Sequence, residues 1–253
     1  MIKHSDELQT AINAAKAGGK VALKYFQTKL DVRTKADDSF VTNADVASEK
    51  EIIKYITQTY PNAKFLAEES GGDKKENDFW IIDPIDGTRV FIKGVPQWAI
   101  LIAHYKKGEI TTGVCYIPTL NILLAAEKDK GAYVNGKRMH VSDVNTLNNA
   151  FGSFGSIRHY KNLDPIIQLN ANKVVLRGFE SAYGMALVAM GNMDVVIDVY
   201  AKPWDYAPFI RIIPEAGGKV TDFEGKEWNL ETQNLVVTNG LLHEEVVKII
   251  NKK

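Results

Sequence analysis

The sequence predicts a mixed α+β and α/β protein built as two closely packed halves, over residues 1–145 and 146–253. Two helical patterns followed by a run of strand-like segments predict an α+β first half. Helical and strand-like segments alternate after about residue 145, which is typical of an α/β arrangement. The chain has 253 residues, 45% of them hydrophobic, so a substantial core is expected. The crevice between the halves is the expected place for a site.

The first half begins with two predicted helices. Residues 5–27 carry apolar side chains at helical spacing, with a break expected at the pair Gly18-Gly19. The charged stretch 28–38 is predicted as a loop or hairpin, and a second helix is expected over residues 43–60.

Strands dominate the rest of the first half. Short strands are predicted at residues 64–67 and 79–83, and Pro84 is expected to end the second because proline has no amide hydrogen for the ladder. An antiparallel meander then follows, with strands at residues 98–105, 110–117, 122–127 and 131–134.

In the second half, strands and helices alternate. The predicted strands are residues 173–176, 194–199, 219–222 and 235–237. The predicted helices are residues 181–190, 204–216 and 241–250.

Charge and cysteine content argue against several classes of protein. Lys+Arg and Asp+Glu both number 31, so no overall field favours a nucleic-acid partner. The one cysteine, Cys115, lies in an apolar run and allows neither an internal disulfide nor a cysteine metal site. The N-terminus lacks a signal-peptide pattern, and no apolar run approaches the roughly 18 residues that span a membrane. A cytoplasmic enzyme without a membrane partner is expected.

The segment Asp83-Pro84-Ile85-Asp86-Gly87-Thr88 carries the strongest chemical signal. Asp83 ends an apolar strand and Asp86 follows in the turn, so both carboxylates can converge. Gly87 allows close approach of a ligand to the backbone, and Thr88 is expected to cap a turn of helix. Carboxylates without histidine or cysteine favour a hard cation such as Mg²⁺. The alternative is a purely structural turn whose carboxylates cap backbone amides.

Two further acidic segments strengthen the metal interpretation. Glu68-Glu69 follows a predicted strand, and Asp205 follows Trp204 beside a helix start. The segment Glu215-Ala216-Gly217-Gly218 comes ten residues later. Carboxylates gathered in one crevice repel one another unless cations balance them.

Three motifs follow one another along the chain: the Glu68-Glu69 pair, the segment 83–88, and Trp204-Asp205 followed by the segment 215–218. In this order they resemble the motifs of the inositol monophosphatase superfamily of Mg²⁺-dependent, lithium-sensitive phosphatases. The resemblance runs from about Lys35 to the last helix. It implies a layered αβαβα sandwich of the sugar-phosphatase type, a homodimer, and roughly two to three Mg²⁺ ions per site. One residue departs from the family pattern, because Ala67 replaces the glycine that usually precedes the Glu pair.

The resemblance also implies roles for individual residues. The metal-binding positions would be Glu68, Asp83, the backbone carbonyl of Ile85, Asp86 and Asp205. Glu68 and Thr88 would orient and activate the attacking water, with Asp45 supporting Thr88. The amides of Gly87 and Thr88 would hold the phosphate.

Substrate choice is expected to depend on Glu180, Ser181 and Asp198. An acidic residue at position 198 binds substrate hydroxyls in the inositol-phosphate branch, whereas residues 88–96 look more like the histidinol-phosphatase branch. That branch usually reads Asp-Cys-Tyr-Gly where this chain has residues 181–184, so Glu180 or Asp198 would supply the acid for an amino alcohol. The alternative for Glu180 is a simple ion pair with Arg177.

The sequence is therefore interpreted as a Mg²⁺-dependent hydrolase that cleaves a small phosphate monoester by metal-activated water. Histidinol phosphate or inositol monophosphate is the expected substrate. The alternatives are a phosphoadenosine-phosphate or fructose-bisphosphate phosphatase of the same superfamily, or a regulatory protein that retains the fold. Lys35 is expected to be a solvated loop residue, and the alternative is a lysine that closes the site.

Overall fold

The helices and strands are defined in a computed structural model that describes residues 4–200 and 202–252. The α-helices of the described residues are α1 Asp6–Tyr25, α2 Asn43–Thr59, α3 Thr88–Ile92, α4 Asp164–Ala171, α5 Ser181–Ala189, α6 Pro203–Glu215 and α7 His243–Ile250. The strands are β1 Val32–Thr34, β2 Phe40–Thr42, β3 Phe65–Ala67, β4 Gly71–Gly72, β5 Asp78–Asp86, β6 Ala99–Lys106, β7 Glu109–Ile117, β8 Ile122–Glu127, β9 Gly131–Val134, β10 Lys137–Arg138, β11 Phe151–Phe154, β12 Val175–Gly178, β13 Val195–Asp198, β14 Lys219–Thr221 and β15 Leu235–Thr238.

The first sheet has eight strands in the order β10-β9-β8-β7-β6-β5-β3-β4. Its ladders are antiparallel except for the parallel pair β3 and β5. Helices α1 and α2 cover one face, where Leu8, Ile52 and Ile100 share a core. Helix α6 packs on the opposite face through Phe209 and Ile213, which share a core with Leu101.

The second sheet has five strands in the order β12-β11-β13-β15-β14. Successive residues of β13 point to opposite faces, as strand geometry requires. Val196 joins the core around α5 and α6, whereas Val195 and Ile197 join the core beneath α4 and α7. The layers therefore run α1/α2, first sheet, α5/α6, second sheet, α4/α7, which confirms the αβαβα sandwich.

The division at residues 145 and 146 stays a prediction. Helix α6 comes from the second half but lies against strands of the first sheet, so the two halves share a core. No helix within residues 4–200 and 202–252 combines the length and the apolar character needed to cross a membrane.

The predicted break at Gly18 and Gly19 is wrong, because α1 runs through both residues. The glycines serve close packing instead of termination. A Cβ atom on Gly18 would lie 2.6 Å from Cγ1 of Ile52, and one on Gly19 would lie 2.8 Å from the ring of Tyr116. The packing gained against α2 and the first sheet offsets the low helix propensity of glycine.

The predicted end of a strand at Pro84 is also wrong, because β5 continues to Asp86. The register against β6 shifts between Asp83, opposite Leu101, and Asp86, opposite Ala99. Pro84 lies in this bulge, where the ladder needs no amide hydrogen from it.

Strand β11 and helix α4 were not predicted from the sequence. The strand reads Phe-Gly-Ser-Phe, in which glycine and serine weaken the strand pattern. The helix has only eight residues, and its one sequence signal is Pro165 in the first turn. Packing stabilises both elements. Phe151 of β11 packs on the core around α5 and α6, whereas Phe154 of β11 and Leu169 of α4 belong to the core beneath α4 and α7.

Replacement of Gly113 by alanine should destabilise the fold. A Cβ atom there would lie 2.3 Å from the carbonyl oxygen of Pro208, so β7 and α6 would have to move apart. We expect Gly113→Ala to lower the free energy of unfolding by about 2 kcal/mol or more in urea titrations. Gly178→Ala is the matched control, since its Cβ atom would approach the ring of Phe154 no closer than 3.8 Å. Equal stability of the two variants would contradict this close approach.

Stability should decrease in mild acid through His243. Its ring nitrogens lie 2.9 Å from Oγ1 of Thr221 and 3.0 Å from Oγ1 of Thr238. Burial, aided by the charge of Lys219, lowers the pKa of His243 from 6.5 to about 4. The ring is therefore neutral in the folded state but protonated in the unfolded state between these values. Its contribution to stability is complete above the unfolded pKa and is lost as the pH falls toward the folded pKa.

We expect the wild-type protein to lose on the order of 2 kcal/mol more unfolding free energy than His243→Gln between pH 7 and pH 4. Urea titrations at several pH values measure this difference. Parallel pH profiles for the two proteins would show that His243 does not titrate as proposed.

Candidate active site

A cavity of about 640 Å³ opens where the bulged end of β5 faces the first residues of α5 and α6. The hairpin β1–β2, which pairs Val32 with Thr42, forms a third wall. The side chains of Asp83, Asp86, Glu180 and Asp205 line the cavity. The structure thus brings together acidic residues that are far apart in the sequence.

Three carboxylates meet at the bottom of this cavity. Oxygen atoms of Asp83, Asp86 and Asp205 lie within 4.8 Å of one another. The bulge directs both β5 residues into the cavity, while Asp205 occupies the third position of α6. One carboxylate oxygen of Asp205 accepts the amide hydrogen of Lys202 at 2.7 Å, which fixes this side chain at the helix start.

The electrostatics of the three carboxylates favour a bound cation. Burial, followed by the charges of Glu68 and Asp86, raises the pKa of Asp83 well above its usual value. Burial and the charge of Asp205 do the same to the pKa of Asp86. The buried Oδ2 atom of Asp86 has no hydrogen-bond partner among the described residues. Carboxylate oxygens are the ligands that a hard cation such as Mg²⁺ prefers, and Oδ2 of Asp86 is a buried oxygen that still needs a partner.

Glu68 lies beside this group but is held by another residue. It approaches Asp83 closely enough to raise the pKa of the Asp83 carboxyl. One of its oxygens, Oε1, accepts a hydrogen bond from Nζ of Lys35 at 2.8 Å, and Oε1 of Glu69 accepts a second at 2.7 Å. The predicted solvated role of Lys35 is therefore wrong: its side chain is 22% exposed and reaches into the site.

Asp45 and Thr88 are in contact, as the resemblance implied. The Thr88 hydroxyl lies 3.1 Å from Oδ1 of Asp45 and 3.2 Å from the carbonyl oxygen of Ile85. Oδ2 of Asp45 accepts hydrogen bonds from the amide and hydroxyl of Thr42, which closes a capping box at the start of α2. Burial raises the pKa of Asp45 to about 6.

Thr88 does not cap α3, contrary to the sequence prediction. Gly87 is the N-cap residue and Thr88 is the first residue of the helix. Gly87 has φ 84°, a left-handed conformation that favours glycine. This conformation turns the chain sharply after Asp86, so the amides of the turn lie at the cavity wall.

Glu180, Ser181 and Asp198 form the wall beside α5. Two hydrogen bonds hold the carboxylate of Asp198 in place. It accepts one from the hydroxyl of Ser181 and one from the amide of Tyr200 at 3.1 Å. The carboxylate of Glu180 makes no hydrogen bond or ion pair within the described part of the chain, although its backbone carbonyl oxygen accepts the amide hydrogen of Gly184 at 2.8 Å. Burial, followed by the charge of Asp198, raises its pKa, whereas Arg89 opposes that shift.

The suggested ion pair between Glu180 and Arg177 is not formed. One guanidinium nitrogen of Arg177 donates to the carbonyl oxygen of Leu176 at 2.8 Å, and no ion pair joins the two side chains within the described residues. Glu180 is thus available to a ligand.

Three basic side chains that were not predicted also line the cavity. We call Arg89, Arg158 and Lys202 the basic mouth. Arg89 donates to the carbonyl oxygen of Asp38 at 2.8 Å. Arg158 and Lys202 lie 3.8 Å from the carboxylates of Asp38 and Asp37, respectively. These residues come from three separate segments, so no local sequence signal links them.

The chain is similar to known proteins along nearly its whole length. The chain matches the inositol monophosphatase family over residues 4–253. It is 34% identical to the fructose-1,6-bisphosphatase/inositol-1-monophosphatase of Thermotoga maritima, over 98% of this chain and 96% of that protein. It is 36% identical to the histidinol-phosphatase of Chlorobaculum parvum, over 96% of each chain.

The solved structure of the Thermotoga maritima IMPase has the same fold. It superposes with a TM-score of 0.91 at 35% sequence identity, and the match covers 98% of this chain and 97% of that one. The family match spans nearly the whole sequence, and the acidic motifs meet in one cavity. The chain therefore belongs to the inositol monophosphatase family of Mg²⁺-dependent phosphatases.

Proposed function

We propose that this protein hydrolyses a small phosphate monoester by attack of an activated water, with Mg²⁺ as its cofactor. The observation that carries the proposal is the group of Asp83, Asp86 and Asp205, whose oxygens lie within 4.8 Å of one another. Burial and the neighbouring acids raise the pKa values of Asp83 and Asp86, and Oδ2 of Asp86 has no hydrogen-bond partner among the described residues, which supports a bound cation at this group.

The cofactor would be held by oxygen ligands from both halves of the chain. The proposed ligands are Glu68, Asp83, the carbonyl of Ile85, Asp86 and Asp205. Bound Mg²⁺ would supply positive charge that lowers the pKa of a nearby water and offsets charge developing on the phosphate. Two divalent ions would balance the four carboxylates, and about three ions is the expected upper limit.

The protein side chains would orient the water and move its proton. The Thr88 hydroxyl, backed by Oδ1 of Asp45, would hold the water in line with the phosphorus atom. A carboxylate oxygen of Glu68 would accept the proton of that water. The amides of Gly87 and Thr88 would bind the phosphate at the cavity wall, where the left-handed turn exposes them.

The wall beside α5, which consists of Glu180, Ser181 and Asp198 and which we call the inner wall, favours a polyol or an amino alcohol as the esterified group. Glu180 presents a carboxylate that no protein group occupies in the described structure, and Ser181 with Asp198 adds a fixed hydroxyl and carboxylate. Such groups accept hydrogen bonds from hydroxyls or from an ammonium. Inositol monophosphate and histidinol phosphate are therefore the first candidate substrates.

The basic mouth favours a second class of candidates. Arg158 and Lys202 pair with aspartates only at 3.8 Å and are 61% and 41% exposed, so they remain accessible to a ligand anion. Fructose bisphosphate and phosphoadenosine phosphate carry a second phosphate that could reach these cations.

Asp83→Asn should abolish catalysis without unfolding the protein. The variant would lose one of the proposed metal ligands, while the repulsion among the buried carboxylates falls. We expect phosphate release to drop at least about 100-fold and the stability of the metal-free protein to stay the same or rise. Phosphate release with Mg²⁺ or EDTA, together with thermal unfolding in EDTA, measures both effects.

Asp143→Asn, at an exposed position outside the cavity, is the matched control and should keep wild-type activity. Full turnover by Asp83→Asn would remove the proposed metal role. A wild-type protein that binds Mg²⁺ but releases no phosphate from any tested ester would favour the regulatory alternative.

The two substrate classes should respond to different substitutions. If the inner wall selects the alcohol, Glu180→Gln should raise KM for inositol 1-phosphate or histidinol phosphate about tenfold, which corresponds to one charged contact. Arg158→Gln should change that KM less than about twofold, as expected for an exposed charge away from the alcohol.

Steady-state rates on four esters provide the measurement: inositol 1-phosphate, histidinol phosphate, fructose 1,6-bisphosphate and phosphoadenosine phosphate. Preference for a bisphosphate, with the larger KM effect at Arg158, would support the second class and reject the first.

A further inference from the structure

Lys35 forms an unusually well-shielded ion pair with two adjacent carboxylates at the edge of the proposed metal site. Its Nζ atom lies 2.8 Å from Oε1 of Glu68 and 2.7 Å from Oε1 of Glu69. The side chains are 22%, 16% and 11% exposed, in that order. Short contacts in this setting are charge-assisted hydrogen bonds, which are stronger than ordinary surface ion pairs.

The backbone holds each partner in place. The amide of Lys35 donates to the carbonyl oxygen of Ser39 at 2.8 Å, and the amide of Asp38 donates to the carbonyl oxygen of Lys35 at 3.1 Å. On the other side, the amide of Glu69 donates to Oε2 of the buried Glu49 at 2.8 Å. The turn of the hairpin therefore places the ammonium group of Lys35 against the carboxylates of Glu68 and Glu69.

We propose that Lys35 acts as an internal cation that occupies the Glu68 end of the site and competes with the divalent metal for this carboxylate. The inference rests on the proposed function, because it takes Glu68 as a metal ligand. The ammonium would stabilise the metal-free protein by balancing Glu68 and Glu69. It would also weaken metal binding, because a divalent ion at Glu68 must displace or approach a positive charge already there.

The second carboxylate gives the displaced ammonium a place to remain. Lys35 already contacts Glu69, so it can keep that ion pair when Glu68 turns toward a metal ion. The exchange would leave the hairpin over the cavity, since its turn and its other contacts do not involve Glu68. Lys35 is thus a positioning residue that sets metal affinity while the cavity wall stays in place.

A purely structural ion pair makes a different prediction. If Lys35 only fastened the hairpin, its removal would destabilise the protein equally with and without metal and would leave metal affinity unchanged or weakened. Competition predicts instead that stability and metal affinity change in opposite directions. A loss of stability together with a gain in metal affinity therefore distinguishes competition from a purely structural role.

The test compares Lys35→Met with Lys35→Arg and with the matched control Lys202→Met in the full-length protein. Lys202 lines the same cavity, and its substitution by methionine removes the same positive charge. Its ammonium group, however, pairs with the carboxylate of Asp37 at 3.8 Å. Calorimetric titration of metal-free protein with Mg²⁺ gives the dissociation constant. Thermal unfolding in EDTA and in saturating Mg²⁺ gives the stability of each form.

We expect Lys35→Met to bind Mg²⁺ about fivefold to tenfold more tightly than the wild type and to have a lower Tm in EDTA. Its Tm in saturating Mg²⁺ should match that of the wild type. Lys35→Arg should behave like the wild type, and Lys202→Met should change the dissociation constant less than about twofold.

Mg²⁺ affinity of Lys35→Met equal to or weaker than that of the wild type would overturn this inference while leaving the proposed function intact. An equal gain in affinity in Lys202→Met would also overturn it, because the effect would then be a general loss of positive charge. If neither the wild type nor any variant bound Mg²⁺, the proposed function itself would fail, and the inference with it.

Discussion

The repulsion among buried carboxylates is the constraint on which the rest of this structure depends. Asp83, Asp86 and Asp205 have pKa values raised first by burial and then by neighbouring acids, so the folded chain holds them together against an unfavourable electrostatic energy. Local backbone features fix the position of each of these three carboxylates. A bulge in β5 directs the first two, and a backbone amide at the start of α6 holds the third. The ammonium of Lys35 then offsets part of the negative charge from the open side of the cavity.

The position of Asp205 depends on contacts at the far end of α6. Both carboxylate oxygens of Glu215 accept amide hydrogens, from Asp129 at 2.7 Å and from Gly131 at 2.6 Å, which ties α6 to the turn between β8 and β9. A Cβ atom on Gly218 would lie 2.5 Å from the carbonyl oxygen of Thr238 in the second sheet. The Glu-Ala-Gly-Gly segment is therefore an architectural joint between the sheets, although it accompanies the acidic motifs in the sequence. Its physical role is to place the other end of the helix.

The sequence was most informative where the chemistry lies in short segments. Asp83, Asp86 and Gly87 form one turn, so their convergence could be predicted from spacing alone. The role of a glycine was harder to predict, because glycine can either end a helix or allow close packing. Which of these it does depends on a neighbour that is remote in sequence, as Gly18 shows through its close approach to Ile52. Lys35 was missed for a related reason. A lysine in a charged loop looks solvated until the fold brings two glutamates to it from 33 and 34 residues away.

The order in which ligands enter the cavity follows from its charge distribution. Acidic side chains outnumber basic ones among the lining residues. Asp83 and Asp86 are buried, whereas Arg158 and Lys202 of the basic mouth are 61% and 41% exposed. A phosphate dianion that enters the metal-free cavity would therefore be attracted at the entrance and repelled at the bottom. Divalent ions held by Asp83, Asp86 and Asp205 would reverse the field at these carboxylates and make the whole path attractive to the dianion. On the proposed function, metal binding thus precedes productive binding of the ester, and a device that tunes metal affinity also controls access of the substrate to the reacting residues.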